Sequence, residues 1–214
     1  MARPRNSDAA RTKKRILEAA GKLFSRKGLH AVGMREVASA ARVSQPAVHH
    51  YFGSKEELHD AVLDAMYEEL SSVGKELQSV IFGAETLEAA VDGGVRKLFR
   101  FALEHRDAVL LAMRESLDAS KKIRAGRAQL VGNVLLDQAA SAIAEIAKRP
   151  TDEIKMALLS INFLLSRYIT LSPNERKLLV EPALAERLER KPTAAEVDTW
   201  VETHLANAAV RLVL

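Results

Sequence analysis

Apolar side chains recur every three or four residues along almost the whole chain, the spacing that keeps them on one face of an α-helix. Strand-like alternation at every second residue is not evident. The spacing predicts helices over about residues 10–27, 35–41, 45–51, 54–82, 86–104, 106–116, 120–148, 152–171 and 194–214, with another short one within 178–188. The predicted fold class is therefore all-α.

Residues that start or interrupt helices mark the ends of these segments. Ser54 opens the long fourth segment as a capping box, because Glu57 follows it by three residues and can accept from its backbone N–H. Proline disfavours a helical conformation in the residue before it and cannot donate within a helix. The later helices are accordingly separated at Pro150, Pro173 and Pro192.

The two short helices at residues 35–51 are joined by a turn no longer than Arg42–Val43. Ser44 can cap the second of them, and Pro46 is tolerated because first-turn N–H groups have no helical partner. The second helix therefore begins abruptly, with its first residues projecting. This is the geometry of a helix-turn-helix, whose second helix enters the major groove of DNA.

Charge strengthens this interpretation, because it is distributed unevenly. Residues 1–55 hold 12 Lys or Arg against 3 Asp or Glu, whereas residues 56–214 hold 20 against 25. A basic surface alone is often only a solvated face, but here it coincides with the helix-turn-helix and indicates a polyanion-binding end. Residues 1–10 are polar and basic, and we expect them to be either an inert tail or an arm that enters the minor groove.

Other classes of function find little support. Cysteine is absent, which excludes disulfides and thiolate metal sites and fits a reducing cytoplasm, the expected location. No segment approaches the roughly 18 uninterrupted apolar residues of a membrane span. The six histidines lack the spacing of a zinc hydrolase site, and no nucleophile or nucleotide-binding motif occurs. We therefore expect no metal, no cofactor, no membrane association and no enzyme activity, although a site of scattered carboxylates needs no local motif.

At this point the residues resemble a known family, the TetR family of transcriptional regulators. The resemblance is close over about residues 12–62 and extends further only as an all-helical layout. Its spaced positions are Gly28, Arg35, Val37, Ala38, Val43, Ser44, Gln45, Pro46, Phe52, Ser54, Lys55, Glu56 and Leu58. Three positions depart from the family pattern: Gly33-Met34 stands where a threonine is usual, Arg42 replaces a frequent turn glycine, and His49 replaces a phosphate-contacting tyrosine.

The resemblance implies two domains. Residues 1–53, including the arm at 1–10, would form the DNA-binding domain. Residues 54–214 would form a ligand-binding and dimerisation domain, with residues 54–82 as the connecting helix. The protein would bind a palindromic double-stranded DNA operator as a homodimer, and a small-molecule effector would release it.

The side chains that start the recognition helix suggest how bases and phosphates are contacted. Gln45 can bind adenine bidentately, Pro46 and Ala47 can lie against thymine methyl groups, and Arg35 can reach a guanine. The resemblance to the tetracycline repressors supports these assignments except that of Ala47. Phosphate contacts are assigned to Ser44, His49 and Lys55, and His50 suits either role.

Two apolar stripes on the last long helices suggest how subunits associate. The residues selected for a dimer interface are Leu158, Ile161, Leu165, Trp200, Val201, Leu205 and Ala208. In TetR-like proteins the corresponding helices pair with those of a second chain as a four-helix bundle. The alternative is that both stripes pack within their own subunit.

The resemblance also implies an effector pocket enclosed by the middle helices. Its candidate lining mixes apolar bulk with hydrogen-bonding groups: Phe99, Leu103, Met113, Leu135, Gln138, Asn162 and Tyr168. Arg114 and Arg167 are candidates to pair with a ligand carboxylate. A repressor is the favoured form of regulator; an activator of the same fold and a helical enzyme without a motif remain the alternatives. The sequence identifies neither the effector nor the operator.

Overall fold

The computed structural model describes residues 5–117 and 125–214 of the chain. Within those ranges the regular structure is entirely helical, with eleven α-helices and no β-strand. In chain order they are α1 Arg5–Lys27, α2 Met34–Ala41, α3 Gln45–Phe52, α4 Lys55–Phe82, α5 Leu87–Glu104, α6 Arg106–Leu117, α7 Ala125–Ala147, α8 Thr151–Thr170, α9 Pro173–Leu179, α10 Glu181–Leu188 and α11 Ala194–Val213. The all-α prediction is confirmed.

The N-terminal end differs from the prediction, because α1 begins at Arg5 and not near residue 10. Asp8 lies in the first turn, where a negative charge is favoured by the helix dipole, and its carboxylate accepts from Arg11 at 3.1 Å. Thr12 Oγ1 also donates to the Asp8 carbonyl, at 2.8 Å. The predicted start of the first helix is therefore wrong, because residues 5–10 are helical. Whether residues 1–10 contact DNA stays a prediction, and residues 1–4 lie outside the described part of the chain.

The region predicted as one short helix at 178–188 contains parts of two helices, α9 and α10. Ser172 starts α9 with a capping box in which Glu175 accepts from its backbone N–H, and this hydrogen bond lowers the pKa of Glu175. Pro182 occupies the first turn of α10, where a missing N–H costs no helical hydrogen bond. The predicted helix at 120–148 is described only from Ala125 onward.

The chain divides into two compact units. One contains the described residues up to Leu70 together with those from Asp107 to Ala128, and the other contains Ser71–Arg106 and Gln129–Leu214. This division runs through α4 and assigns nearly all of α6 to the first unit. The predicted boundary at residues 53/54 separates a DNA-binding domain from a regulatory domain, and it stays a prediction.

The first unit is built on one apolar core to which α1, α2, α3, α4 and α6 all contribute. Its buried members are Ile16, Ala20, Phe24, Val32, Val37, Ala38, Ala41, Val48, Phe52, Leu58, Val62, Leu63, Met66 and Leu111. Helices as short as α2 and α3 have too few hydrogen bonds to be stable alone, so this burial holds them in place.

The second unit is organised around α11, which packs on both α5 and α8. Apolar residues of the three helices are buried together with one carboxylate, that of Glu202, whose side chain is 9% exposed. Arg100 donates to Glu202 Oε1 through Nε at 3.0 Å and through a terminal nitrogen at 2.9 Å. A terminal nitrogen of Arg96 lies 3.8 Å from the same oxygen. These hydrogen bonds compensate for the burial of the charge and fix α5 against α11.

The start of α11 is a second capping box, formed by Thr193 and Glu196. Arg190, with the Thr193 N–H, holds the pKa of Glu196 at about 2. Among the described residues, no single helix is long and apolar enough to cross a membrane; α8 and α9 meet that test only together, across a bend of 116°.

The buried carboxylate gives a test of the α5–α11 contact. Arg100→Ala removes both close donors to Glu202, and we expect it to lower the free energy of unfolding by about 1–3 kcal/mol, the cost of an under-satisfied buried acceptor. Urea denaturation at a fixed protein concentration measures this. Arg187→Ala, an exposed arginine of α10, is the matched control. Equal effects of the two substitutions would contradict the structural role assigned to the Glu202 contacts.

Candidate nucleic-acid interface

The turn between α2 and α3 is closed by a left-handed residue. Arg42 has φ 56° and ψ 49°, and its N–H donates to the carbonyl of Ser39 while that of Val43 donates to Ala38. A side chain in this conformation is strained by up to a few kcal/mol relative to glycine. Arg42 stands where a turn glycine is frequent in the family, and the structure shows that it adopts the positive φ that favours glycine.

A brace from α1 supports the strained turn. One terminal nitrogen of Arg15 donates to the carbonyl of Ala41 at 3.0 Å and to that of Arg42 at 3.1 Å. These carbonyls end α2 and have no helical partner, so the guanidinium satisfies them and places positive charge at the negative end of the helix. This role of Arg15 was not predicted, because 26 residues separate it from Ala41 and no local pattern links the two.

The recognition helix α3 starts as predicted. The Ser44 hydroxyl accepts from the Ala47 N–H at 3.3 Å, and Pro46 lies in the first turn. Val48 and Phe52, four residues apart, are buried in the core of the first unit and fix the face that α3 turns inward. The residues between them are consequently available on the outer surface.

All eight predicted DNA-contacting residues lie on α2, on α3 or its N-cap, or at the start of α4. Arg35 is exposed one residue inside α2, and Lys55 is half-buried as the first residue of α4. On and beside α3, the exposed ones are Ser44, Pro46, His49 and His50, and the half-buried ones are Gln45 and Ala47. Their exposure is compatible with DNA contact, and the individual contacts stay predictions.

Three cations on α2, in the turn after it and at the start of α4 are not neutralised by described neighbours. Within the described ranges, neither Arg35, Arg42 nor Lys55 forms an ion pair, whereas Lys27 is paired with Glu36 at 2.6 Å. Unpaired cations on an exposed surface are suited to phosphate contacts. At this surface the positive charge therefore remains free for a polyanion.

The junction between α3 and α4 is tightly tied. Gly53 has φ 71°, its N–H donates to the His49 carbonyl at 2.8 Å, and its own carbonyl lies 2.9 Å from His49 Nδ1. Ser54 and Glu57 form the predicted capping box, with bonds of 2.7 and 3.1 Å. The hydrogen bond from the backbone N–H of Ser54 lowers the pKa of Glu57 and so favours the ionised carboxylate.

An arginine of α6 and a histidine of α4 also stabilise the first unit, in roles that were not predicted from the sequence. Arg114 on α6 donates to the carbonyls of Ser25 and Arg26 at the end of α1, at 2.6 and 2.8 Å. Buried His59 on α4 has Nε2 at 3.3 Å from Glu115 Oε1. Arg114 was predicted as a partner for a ligand carboxylate, but it is occupied by these carbonyls instead.

The residues predicted for the dimer interface are placed largely inside their own chain. Ile161, Leu165, Val201 and Leu205 are at most 7% exposed. Leu158, Trp200 and Ala208 are half-buried. The first four side chains pack within the second unit and cannot present their surface to a partner, so the alternative of intrasubunit packing holds for them. The periodicity identified an apolar stripe correctly but did not show which neighbour covers it.

Of the residues predicted to line an effector pocket, the structure brings Phe99 and Tyr168 into contact, and the pocket itself stays a prediction. The rings of Phe99 and Tyr168 are in contact, with centroids 5.6 Å apart, and both side chains are buried. Leu103 is half-buried. Gln138 and Asn162 are exposed. Met113 belongs to the other compact unit, and the side chain of Leu135 lies outside the described residues. Arg167, the other predicted carboxylate partner, is paired with Glu175 at 2.8 Å.

A different concavity occurs in the second unit, between the start of α5 and the end of α11. Its volume is about 620 Å³, and it is lined by Thr86, Glu88, Ala89, Asp92, Asn207, Val210 and Arg211. Asp92 is paired with Arg96 at 2.7 Å. The lining is polar and includes none of the seven residues predicted for the pocket.

Comparison with known proteins agrees with this geometry. Residues 16–62 match the profile of the family described as bacterial regulatory proteins, tetR family. The chain is 40% identical over 78 residues to the HTH-type transcriptional activator FasR of Mycolicibacterium smegmatis, which is 36% of each chain. It is 27% identical over 134 residues to the HTH-type transcriptional repressor NicS of Pseudomonas putida, covering 60% of this chain and 62% of that one.

The fold as a whole is also shared with a solved regulator. The structure resembles the transcriptional regulator FadR of Bacillus subtilis in complex with stearoyl-CoA, with a TM-score of 0.61, 12% identity, and coverage of 94% of this chain and 96% of that one. At this identity the likeness concerns the fold. The matches to FasR and NicS span about a third and about two thirds of those chains.

Proposed function

We propose that this chain, which belongs to the tetR family of bacterial regulatory proteins, is a sequence-specific DNA-binding transcriptional regulator. The observation that carries the proposal is an abruptly started, outward-facing α3 set on a basic surface whose cations Arg35, Arg42 and Lys55 are unpaired within the described ranges. The family match over residues 16–62 supports it, since that segment contains both helices of the helix-turn-helix.

Base recognition is assigned to the start of α3 and to Arg35. An amide such as that of Gln45 matches the donor and acceptor pattern of adenine in the major groove, whereas arginine matches that of guanine. Pro46 and Ala47 contribute apolar contact with thymine methyl groups. Ser44, His49 and Lys55 hold the phosphates and so position α3 without reading the sequence.

Two substitutions separate these roles. Gln45→Ala is expected to relax the preference at one base position of each half-site, at a cost of about 1–3 kcal/mol for the best sequence. Lys55→Ala is expected to weaken binding to all duplexes alike and to reduce the salt dependence of affinity. Selection from a random duplex pool, followed by titration at several salt concentrations, measures both effects.

Lys22→Ala provides the control for charge, because Lys22 is an exposed lysine of the same unit outside the proposed interface. An unchanged selected sequence for Gln45→Ala would refute its assignment to base recognition. Equal behaviour of Lys55→Ala and Lys22→Ala would refute the phosphate assignment.

We further propose that the DNA-binding form is a homodimer joined through the exposed face of α8. Met156, Phe163 and Leu164 are 60%, 66% and 54% exposed in the single chain, which is unusual for large apolar side chains on a well-packed unit. Met156 and Phe163 lie on the side of α8 opposite to buried Ile161 and Leu165, and Leu164 flanks that buried side. A two-fold axis would place two α3 helices on successive major grooves, so the operator would be palindromic.

Phe163→Glu tests this face by placing a charge where an apolar contact is proposed. We expect sedimentation of the variant as a monomer at micromolar concentrations at which the unsubstituted chain is a dimer, together with weaker operator binding. Phe82→Glu, at a phenylalanine 72% exposed on α4, is the control and should leave the dimer intact. Dimers of unchanged stability in Phe163→Glu would refute the proposed face.

The regulatory step is proposed to be release from DNA by a small molecule bound in the second unit, with repression as the sign of regulation. A repressor needs only to occupy a promoter, whereas an activator must also contact the transcription machinery; NicS is named a repressor and FasR an activator. An effector acts only through a difference in affinity between the DNA-binding and released conformations. The stearoyl-CoA in the FadR structure supports an amphipathic acyl compound as the first probe.

Stearoyl-CoA titration tests this coupling. If it is an effector, operator affinity is expected to fall by about 5- to 150-fold, the usual range of allosteric coupling. Tight binding of stearoyl-CoA with unchanged operator affinity would refute the coupling for this compound. Footprinting of the genomic site relative to its promoter then determines the sign of regulation.

A further inference from the structure

We infer that His49 contacts a DNA phosphate only when its imidazole is protonated, so that operator binding takes up a proton at this residue. The inference rests on the proposed DNA-binding function and specifies the chemistry of one of its phosphate contacts. It follows from a hydrogen bond within the chain that fixes which ring nitrogen carries hydrogen.

The bond joins His49 Nδ1 to the carbonyl oxygen of Gly53, 2.9 Å away. A carbonyl oxygen can only accept, so Nδ1 must be the nitrogen that carries the hydrogen. The Gly53 N–H donates back to the His49 carbonyl at 2.8 Å, and Gly53 holds φ 71°, a conformation that glycine adopts without strain. The two bonds together hold the ring against the end of α3.

The tautomer determines what the outer nitrogen can do. In a neutral imidazole with hydrogen on Nδ1, Nε2 has only a lone pair and is an acceptor. A phosphate oxygen is also an acceptor, so the two repel each other. Protonation converts Nε2 into a donor with a positive charge, which forms a strong charge-assisted hydrogen bond with phosphate.

The direction of the pH dependence follows from this chemistry. Because the bound state needs the protonated ring, binding raises the proton affinity of His49, and protons in turn favour binding. Operator affinity is therefore greatest at acid pH. It falls as the pH rises and the ring loses the proton that the phosphate contact requires.

The proposed pH dependence belongs to the His49 ring itself and not to an ion pair with a neighbouring group. Among the described residues, the hydrogen bond to Gly53 is the polar contact of the His49 ring, and no charged group is paired with it. The adjoining elements carry several charged and titratable groups, including Lys13 and Arg15 of α1, Arg35, Glu36 and Arg42 of α2 and its turn, His50 and Tyr51 of α3, and Lys55, Glu56 and Glu57 at the start of α4.

His50 differs from His49 although it is the next residue and is equally exposed. Its ring packs edge-on against Tyr51, with centroids 5.4 Å apart, and it makes no hydrogen bond to a described residue. The His50 ring can therefore adopt either neutral tautomer. In each of them one ring nitrogen carries hydrogen and can donate to a phosphate without uptake of a proton. The structure therefore distinguishes the two adjacent histidines.

Operator affinity as a function of pH tests the inference. The probe is a duplex selected from a random pool by the full chain at about pH 6, titrated from about pH 5.5 to 8.5 on either side of the imidazole range. The unsubstituted chain is expected to lose affinity by about tenfold or more as the pH rises, because each recognition helix then loses one charge-assisted hydrogen bond to phosphate. His49→Gln should bind with little pH dependence, because its neutral amide can donate at every pH.

Two controls separate His49 from the other histidines. His30→Gln, an exposed histidine outside the proposed interface, should leave both affinity and pH dependence unchanged. His50→Gln should keep the pH dependence, whatever its absolute affinity. Far-UV circular dichroism over the same pH range shows that each variant stays folded.

The outcomes are distinguishable. Binding without pH dependence in the unsubstituted chain overturns the inference alone, as does an unchanged dependence in His49→Gln or its loss in His50→Gln. A folded chain that retains no duplex at any pH overturns the proposed function itself, and the inference with it.

Discussion

The proposed DNA-binding surface depends on one strained turn and the side chain that stabilises it. Arg42 holds a left-handed conformation that glycine would adopt more easily, and Arg15 on α1 satisfies the carbonyls of Ala41 and Arg42 on either side of it. The turn sets the angle between α2 and α3, so every residue of the recognition helix takes its direction from this contact. A local backbone cost is thereby offset by long-range hydrogen bonds, which also tie α1 to the helix-turn-helix.

The outer face of α3 is likewise determined from the inside. An eight-residue helix is not stable by itself, and α3 persists because Val48 and Phe52 are buried in the core while Ser44 caps its first turn. Burial of these two positions leaves Pro46, His49 and His50 exposed. The proposed specificity for DNA would thus be a consequence of core packing, because packing decides which side chains are left to project.

Features encoded by neighbouring residues could be predicted from the sequence, and those encoded by distant ones could not. The Ser44 cap and the Ser54 capping box need residues only three apart, and both are present as expected. Arg15 and Arg114 reach carbonyls 26 and 89 residues away, for which the sequence gives no signal. On α8, periodicity located an apolar helix but not its environment: Ile161 is buried inside the chain, whereas Phe163 is 66% exposed. A helix that is apolar on more than one face requires its neighbours to be known before its surfaces can be assigned.

In the proposed interface, His49 keeps a phosphate contact that the resemblance implies for this position and changes the chemistry of that contact. The resemblance to TetR-like proteins places a tyrosine at this position, and a phenol can donate to phosphate at any pH below about 10. An imidazole can do the same, but here Nδ1 is already engaged by the Gly53 carbonyl. That bond exists because Gly53 turns the backbone with a positive φ and directs its carbonyl towards the ring. The geometry of the helix end therefore determines the electrostatics of the contact, and the residue type alone would not have revealed it.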